Sequence, residues 1–194
     1  MPEKIPFDSP LGRLFREALA KAFREFRHLY SPPVERHLGD EVLREFVHVD
    51  HIFRLRDTYG RRVEELPDML RVASEREGPE RRIEVDSYIG DFLLFMGGFF
   101  PGSLRRERWL VPAPMIARVG SLFVRFSEPL EYYAAEGRNA YERAARTARL
   151  FAPEEGGMYD LLSSRFDEYQ RLLGRVKDLV GERPEVTEIE DILG

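Results

Sequence analysis

The run Tyr88-Ile89-Gly90-Asp91-Phe92-Leu93-Leu94-Phe95-Met96-Gly97-Gly98-Phe99-Phe100 carries a single charge, Asp91. It is shorter than the about 20 predominantly apolar residues that a bilayer span needs. It therefore reads as the central helix of a soluble bundle, and an apolar helix of this kind must be covered by several others. Stepped at about 100° per residue from Asp86, Val85, Tyr88, Ile89, Phe92, Leu93, Phe95, Met96 and Phe99 occupy most of the circumference. Asp86, Gly90, Gly97 and Gly98 share the remaining arc, where missing side chains let another backbone come close. Asp91 falls beside that arc, and a carboxylate there is costly unless it is paired, hydrogen-bonded or wet. An arginine or a helix end is the expected partner. Pro101-Gly102 ends the helix.

Helical signals continue on both sides. Ser9-Pro10 is a capping hydroxyl with a proline at the first helical position. Leu11, Leu14, Phe15, Ala18, Leu19, Ala22, Phe23 and Phe26 follow at helical steps. That helix should stop near Tyr30, before Ser31-Pro32-Pro33. A second is expected over about 34–55 on Val34, Leu38, Val42, Phe46, Val49 and Phe53. Gly60 breaks the chain, residues 63–75 make a shorter helix, and the charged stretch around Gly78-Pro79 is a loop.

Residues 115–126 fit a helix or a short buried extended piece, with the helix favoured. Ser127-Glu128-Pro129 repeats the cap-and-proline start, and the helix to Phe151 lines up Ala134, Gly137, Ala140, Ala144 and Ala148. Glu154-Glu155-Gly156-Gly157 reads as a turn before a final long helix, 158–180. The expected fold is all-α, a single-domain helical bundle of six or seven helices around the buried helix at about 82–100. Residues 1–8 form an N-terminal extension, 9–181 the domain and 182–194 an acidic C-terminal tail.

Composition narrows the function classes. There is no cysteine, which removes thiol redox chemistry and thiolate zinc sites. The net charge of −5 argues against a general nucleic-acid binder, whose phosphate contacts need a basic face. The opening Met-Pro-Glu-Lys-Ile-Pro has no basic segment followed by an apolar one, so no secretory signal is expected and a cytoplasmic location is the default. No membrane association and no cofactor are expected.

Among candidate sites, Glu41, Glu45 and His48 sit four and three residues apart on the second helix. Glu45-x-x-His48 has the spacing of helix-bundle di-iron and di-manganese sites, which need the motif twice. Here it occurs once, so the alternative is a mononuclear metal site completed by Asp86 or Asp91. The simpler reading is a solvated edge with arginine-paired carboxylates. His48 and His51 flank Asp50, a pattern that suggests a proton relay but also arises by chance. The glycines of 97–102 lack the lysine and the serine or threonine of a phosphate loop. Arg105, Arg106 and Arg108 around Trp109 suit an anion or an interface, or a solvated charge run beside a buried ring.

In the tail, Val186, Ile189, Ile192 and Leu193 offer an apolar edge for a protein partner, or a frayed terminus. Phe46-Val47-His48-Val49-Asp50, Tyr88 to Phe95 with Phe100-Pro101, and Tyr132-Tyr133 with Gly137-Arg138-Asn139-Ala140-Tyr141 together resemble a family of uncharacterised bacterial all-helical proteins. That resemblance implies a helical fold, no activity and no functional residue. The function expected from the residues is non-enzymatic, through self- or partner association. Leu161, Leu172 and Leu179 lie outside the main stripe of the last helix and suggest a homodimer face. The rivals are the metal-dependent enzyme and a binder of a small apolar ligand between the central helix and the alanine-rich helix.

Overall fold

The computed structural model describes Pro6, residues 9–46, 54–104 and 128–182, and the backbone of 116–119 and 122–125. The helices are α1 (Pro10–Glu25), α2 (Pro32–His37), α3 (Arg44–Phe46), α4 (Leu66–Glu75), α5 (Pro79–Phe99), α6 (Pro101–Leu104), α7 (Pro129–Phe151), α8 (Pro153–Ser164) and α9 (Phe166–Gly181). A π-helical turn, Leu38–Leu43, joins α2 to α3, and a short 3-10 turn, Arg27–Leu29, follows α1. The fold is all-α, with one small antiparallel hairpin, β1 (Ile116–Val119) and β2 (Leu122–Arg125), among the described residues. No described helix is long and apolar enough to cross a membrane.

Proline starts most of these helices, because it lacks the N–H that would be unsatisfied in the first turn and its φ already suits the helix. Pro10, Pro32, Pro67, Pro79, Pro129 and Pro153 all occupy first-turn positions. At α1 the Ser9 hydroxyl also accepts from the Gly12 N–H at 3.0 Å.

Helix α5 is the centre. Its first turns expose Glu80, Arg81, Arg82 and Glu84, and from Tyr88 to Phe99 every residue but Gly97 is buried. Helix α7 packs along one side with its buried Ala140, Ala144, Ala145 and Ala148. Helix α9 packs along another, α1 lies on α9, α8 lies on α7, and α4 covers the early part of α5. One contiguous apolar core runs from Phe15 to Val180. It holds an aromatic file on the α2–α3 side, where Phe46 sits 5.7 Å from Tyr88 and 5.6 Å from Phe95 between ring centroids.

The glycine face of α5 meets two different helices. A Cβ on Gly90 would lie 2.7 Å from the Tyr141 ring of α7. On Gly98 it would lie 2.7 Å from Leu173 Cβ and 3.0 Å from the Gln170 carbonyl, both on α9. Gly97 faces the Gln170 side chain, which donates to the Leu93 carbonyl at 3.3 Å. The alanine-rich helix α7 therefore meets α5 at Gly90, and the contact passes to α9 at Gly97. The space beside both glycines is filled by Tyr141 and Gln170.

Several expected boundaries are corrected. The second helix does not continue to Leu55. Leu55 and Val63 are joined by a backbone hydrogen bond of 3.0 Å across a turn through Asp57 and Gly60, and an Arg56–Arg62 bridge sits inside it. Asp57 Oδ1 accepts from the Tyr59 and Arg61 N–H groups at 2.9 Å each, the aspartate turn chemistry that competes with helix. The helix favoured within 115–126 is replaced by the β1–β2 hairpin, whose register pairs Val119 with Leu122. Glu154 to Gly157 lie inside α8 and not in a turn. The final helix is two helices, because the chain breaks at Arg165 (φ −121°, ψ 28°) between α8 and α9. The break lets α8 lie on α7 while α9 reaches α5 and α1, and it buries Leu172 and Leu179, which were expected to face a second copy.

The Gly98 contact is against a Cβ and a carbonyl that cannot swing away. Gly98→Ala is expected to destabilise by about 1–3 kcal/mol through overpacking. Gly102→Ala, where an added Cβ meets nothing within 4 Å, should leave urea midpoints nearly unchanged. Equal midpoints for the two variants in parallel urea titrations would refute the close α5–α9 approach.

Candidate functional site

Asp91 sits in the middle of α5 at 5% exposure, and the fold converges on it. His37, the last residue of α2, places Nε2 2.7 Å from Asp91 Oδ1. Tyr141, on α7, donates its hydroxyl to the same oxygen at 2.7 Å. Gly90 makes this geometry accessible, since the Tyr141 ring occupies the space of its missing Cβ and so brings the hydroxyl level with the next residue. Tyr159 of α8 closes the cluster, edge-on to His37 at 5.9 Å and stacked on Tyr141 at 6.1 Å between centroids. Its hydroxyl lies 3.4 Å from Glu155 Oε2. Four helices thus meet at one buried carboxylate.

The electrostatics follow from that enclosure. Burial by itself disfavours a charged imidazole at His37, but the Asp91 charge and hydrogen bond, helped by Glu41 and Glu155, outweigh it and raise the His37 pKa. Burial and then the Asp91 charge push the Tyr141 hydroxyl well above the usual tyrosine range. Tyr159 is pushed up too, chiefly by burial. The arrangement is a buried histidine–aspartate pair with a phenol on the same oxygen, and the raised His37 pKa favours the protonated imidazole. It ties helices together. Asp91 has its partner, as a buried carboxylate must, but the partner is a histidine with a tyrosine in place of the expected arginine or helix end. Neither Tyr141 nor His37 was read as a site residue. The legible signal was Gly90 immediately before Asp91, which implies a close approach to α5 there.

Of the metal candidates Glu41, Glu45 and His48, the structure describes Glu41 and Glu45. Glu45 is buried and pairs with Arg54, whose guanidinium lies 5.0 Å over the Tyr88 ring. Glu41 is half-buried and acts on His37 electrostatically. Asp86 pairs with Arg143 and Asp91 with His37. The four-residue spacing of Glu41 and Glu45 was projected on an α-helix, whereas Leu38–Leu43 is π-helical and its wider turn changes which side chains share a face. Among the described residues no three His, Asp or Glu side chains gather as a metal site. His48, Asp50 and His51, the Arg105–Trp109 stretch, and Val186, Ile189, Ile192 and Leu193 lie outside the described residues.

Comparison with protein-family models, with curated proteins and with solved structures gives no match, so the reading of this cluster rests on its geometry.

Removing one member of a buried ion pair strands the other. Asp91→Ala is expected to cost about 3–5 kcal/mol, with Asp91→Asn, which keeps an oxygen acceptor for Tyr141, less damaging. Chemical denaturation of the two variants checks the order. A loss below 1 kcal/mol in Asp91→Ala would refute the keystone role.

A pH dependence also follows. Because the folded His37 pKa lies above its unfolded value, its stabilisation is complete below about pH 6.5 and is lost as pH rises through the folded value. The stability advantage of the native chain over His37→Gln should therefore shrink as pH increases from 6 upward. A constant difference in denaturation free energy across that range would contradict the imidazolium assignment.

Proposed function

We propose that the protein acts by association and not by catalysis, with a second copy of itself as the partner in a two-fold dimer. Two features support this reading. The buried acidic and histidine side chains among the described residues are already engaged within the fold. His37 is held by Asp91, Glu45 by Arg54, Asp57 by Arg61, Asp86 by Arg143, and Glu136 by Asn139. Groups engaged in this way are poorly placed for turnover.

The observation that carries the proposal is at the other end of α7. Leu150 and Phe151 stand side by side at 76% and 62% exposure, next to the α7–α8 corner. Large apolar side chains paired at a corner suit an isologous contact, in which one patch meets its own symmetry copy. This face replaces the last-helix leucines as the dimer surface, since Leu172 and Leu179 belong to the core.

Light scattering over a concentration series tests the reading. The native chain is expected to approach twice its monomer mass, and Leu150→Glu with Phe151→Glu should return it to monomer without loss of helicity. A monomer mass at the highest soluble concentration would overturn the dimer. Stoichiometric iron, manganese or zinc in tag-free protein, lost in His48→Ala, would replace association by the metal-enzyme reading.

A further inference from the structure

A second polar assembly lies away from the Asp91 cluster. Helices α4 and α7 leave between them, over the early part of α5, an open cleft of about 550 Å³. That volume falls in the range of small-molecule sites. Its α4 wall is apolar, with Leu70 and Ala73, and ends in Ser74. Arg82 of α5 and Arg143 and Arg146 of α7 line it with guanidinium groups, against the carboxyls of Asp86 and Glu136. Both carboxyls are sunk to 7% exposure, whereas Arg82, with its Nε on the Arg76 carbonyl, and Arg146, paired with Glu142, are exposed at the rim.

Arg143 supplies the decisive detail. Its Nε donates to Asp86 Oδ1 at 2.7 Å, which tethers one end of the guanidinium. Its Nη2 is buried and has no hydrogen-bond partner. A buried donor without an acceptor is costly, more so when it is charged. The side chain as a whole is 36% exposed, so the planar guanidinium stands in the wall of the open cleft, where an entering acceptor would meet it. An oxyanion is the acceptor for which a planar guanidinium is built.

We propose that this cleft binds a small organic anion, its carboxylate or phosphate group taken by Arg143 with Arg82 and Arg146 at the rim and its apolar part against Leu70 and Ala73. The Asp86 tether holds Arg143 in place between ligands. The site is independent of the association proposed above, since neither Leu150 nor Phe151 lines the cleft.

Isothermal titration of the full chain with inorganic phosphate, phenyl phosphate and benzoate tests the site. One-site saturation is expected, with an aromatic probe binding several-fold more tightly than inorganic phosphate. Saturation by phenyl phosphate assigns a phosphate ligand, and saturation by benzoate alone assigns a carboxylate. Arg143→Lys keeps a cation for Asp86 but removes the free Nη2 and should weaken binding about tenfold, the loss of one charge-assisted hydrogen bond. Arg82→Gln, at an exposed position, should weaken it without affecting the fold. Arg149→Gln, whose partner is Asp160, should leave it unchanged. Absence of saturable binding at millimolar probe, or equal weakening by Arg149→Gln, would overturn the proposal.

Discussion

A carboxylate in the middle of an otherwise apolar helix sets the terms for the rest of this structure. Asp91 has to be answered by groups that reach it through the core. The two that hydrogen-bond to it come from 54 and 50 residues away along the chain. One oxygen therefore fixes the relative positions of α2, α5 and α7, and the Tyr159 ring adds α8 by packing against both partners. Hydrophobic burial alone is non-directional. The shared hydrogen bonds add distance and orientation, which is how an apolar helix with no preferred face acquires a defined rotation within its neighbours.

Elsewhere the same economy is applied to backbone carbonyls at helix ends, which would otherwise be left without donors. Lys177 of α9 donates Nζ to the Phe99 carbonyl at the end of α5 at 2.8 Å and lies 5.5 Å over the Phe100 ring. Tyr169 donates to the Leu29 carbonyl at 2.9 Å, and Arg165 donates to that of His28 at 2.7 Å. These contacts tie α9 to the chain after α1 and to the end of α5. The exposed arginine pairs, such as Arg138 with Asp167 and Arg175 with Glu25, add little individually because water and salt screen them. The structure depends on its few buried polar contacts far more than on its many surface ones.

The sequence by itself determined the all-α class, the central helix near 82–100, the prolines that start helices, and the close packing at Gly90. These are local or periodic properties: an uninterrupted apolar run needs cover on all sides, and a proline acts on its own turn. It also determined that Asp91 needed a partner, because the cost of burying a charge does not depend on the rest of the fold.

Only the tertiary structure decided which groups answer that charge. His37 and Tyr141 are unremarkable on their own helices, and their meeting depends on three helix axes together. Tertiary packing also decided the break at Arg165, where the apolar period continues while the two halves serve different neighbours. It set the π-helical turn that shifts the phase of Glu41 against Glu45, and the placement of Leu172 and Leu179 in the core. Spacing along a chain specifies a face of a helix, but not what that face will meet, and the partner is settled by the whole set of contacts made at once.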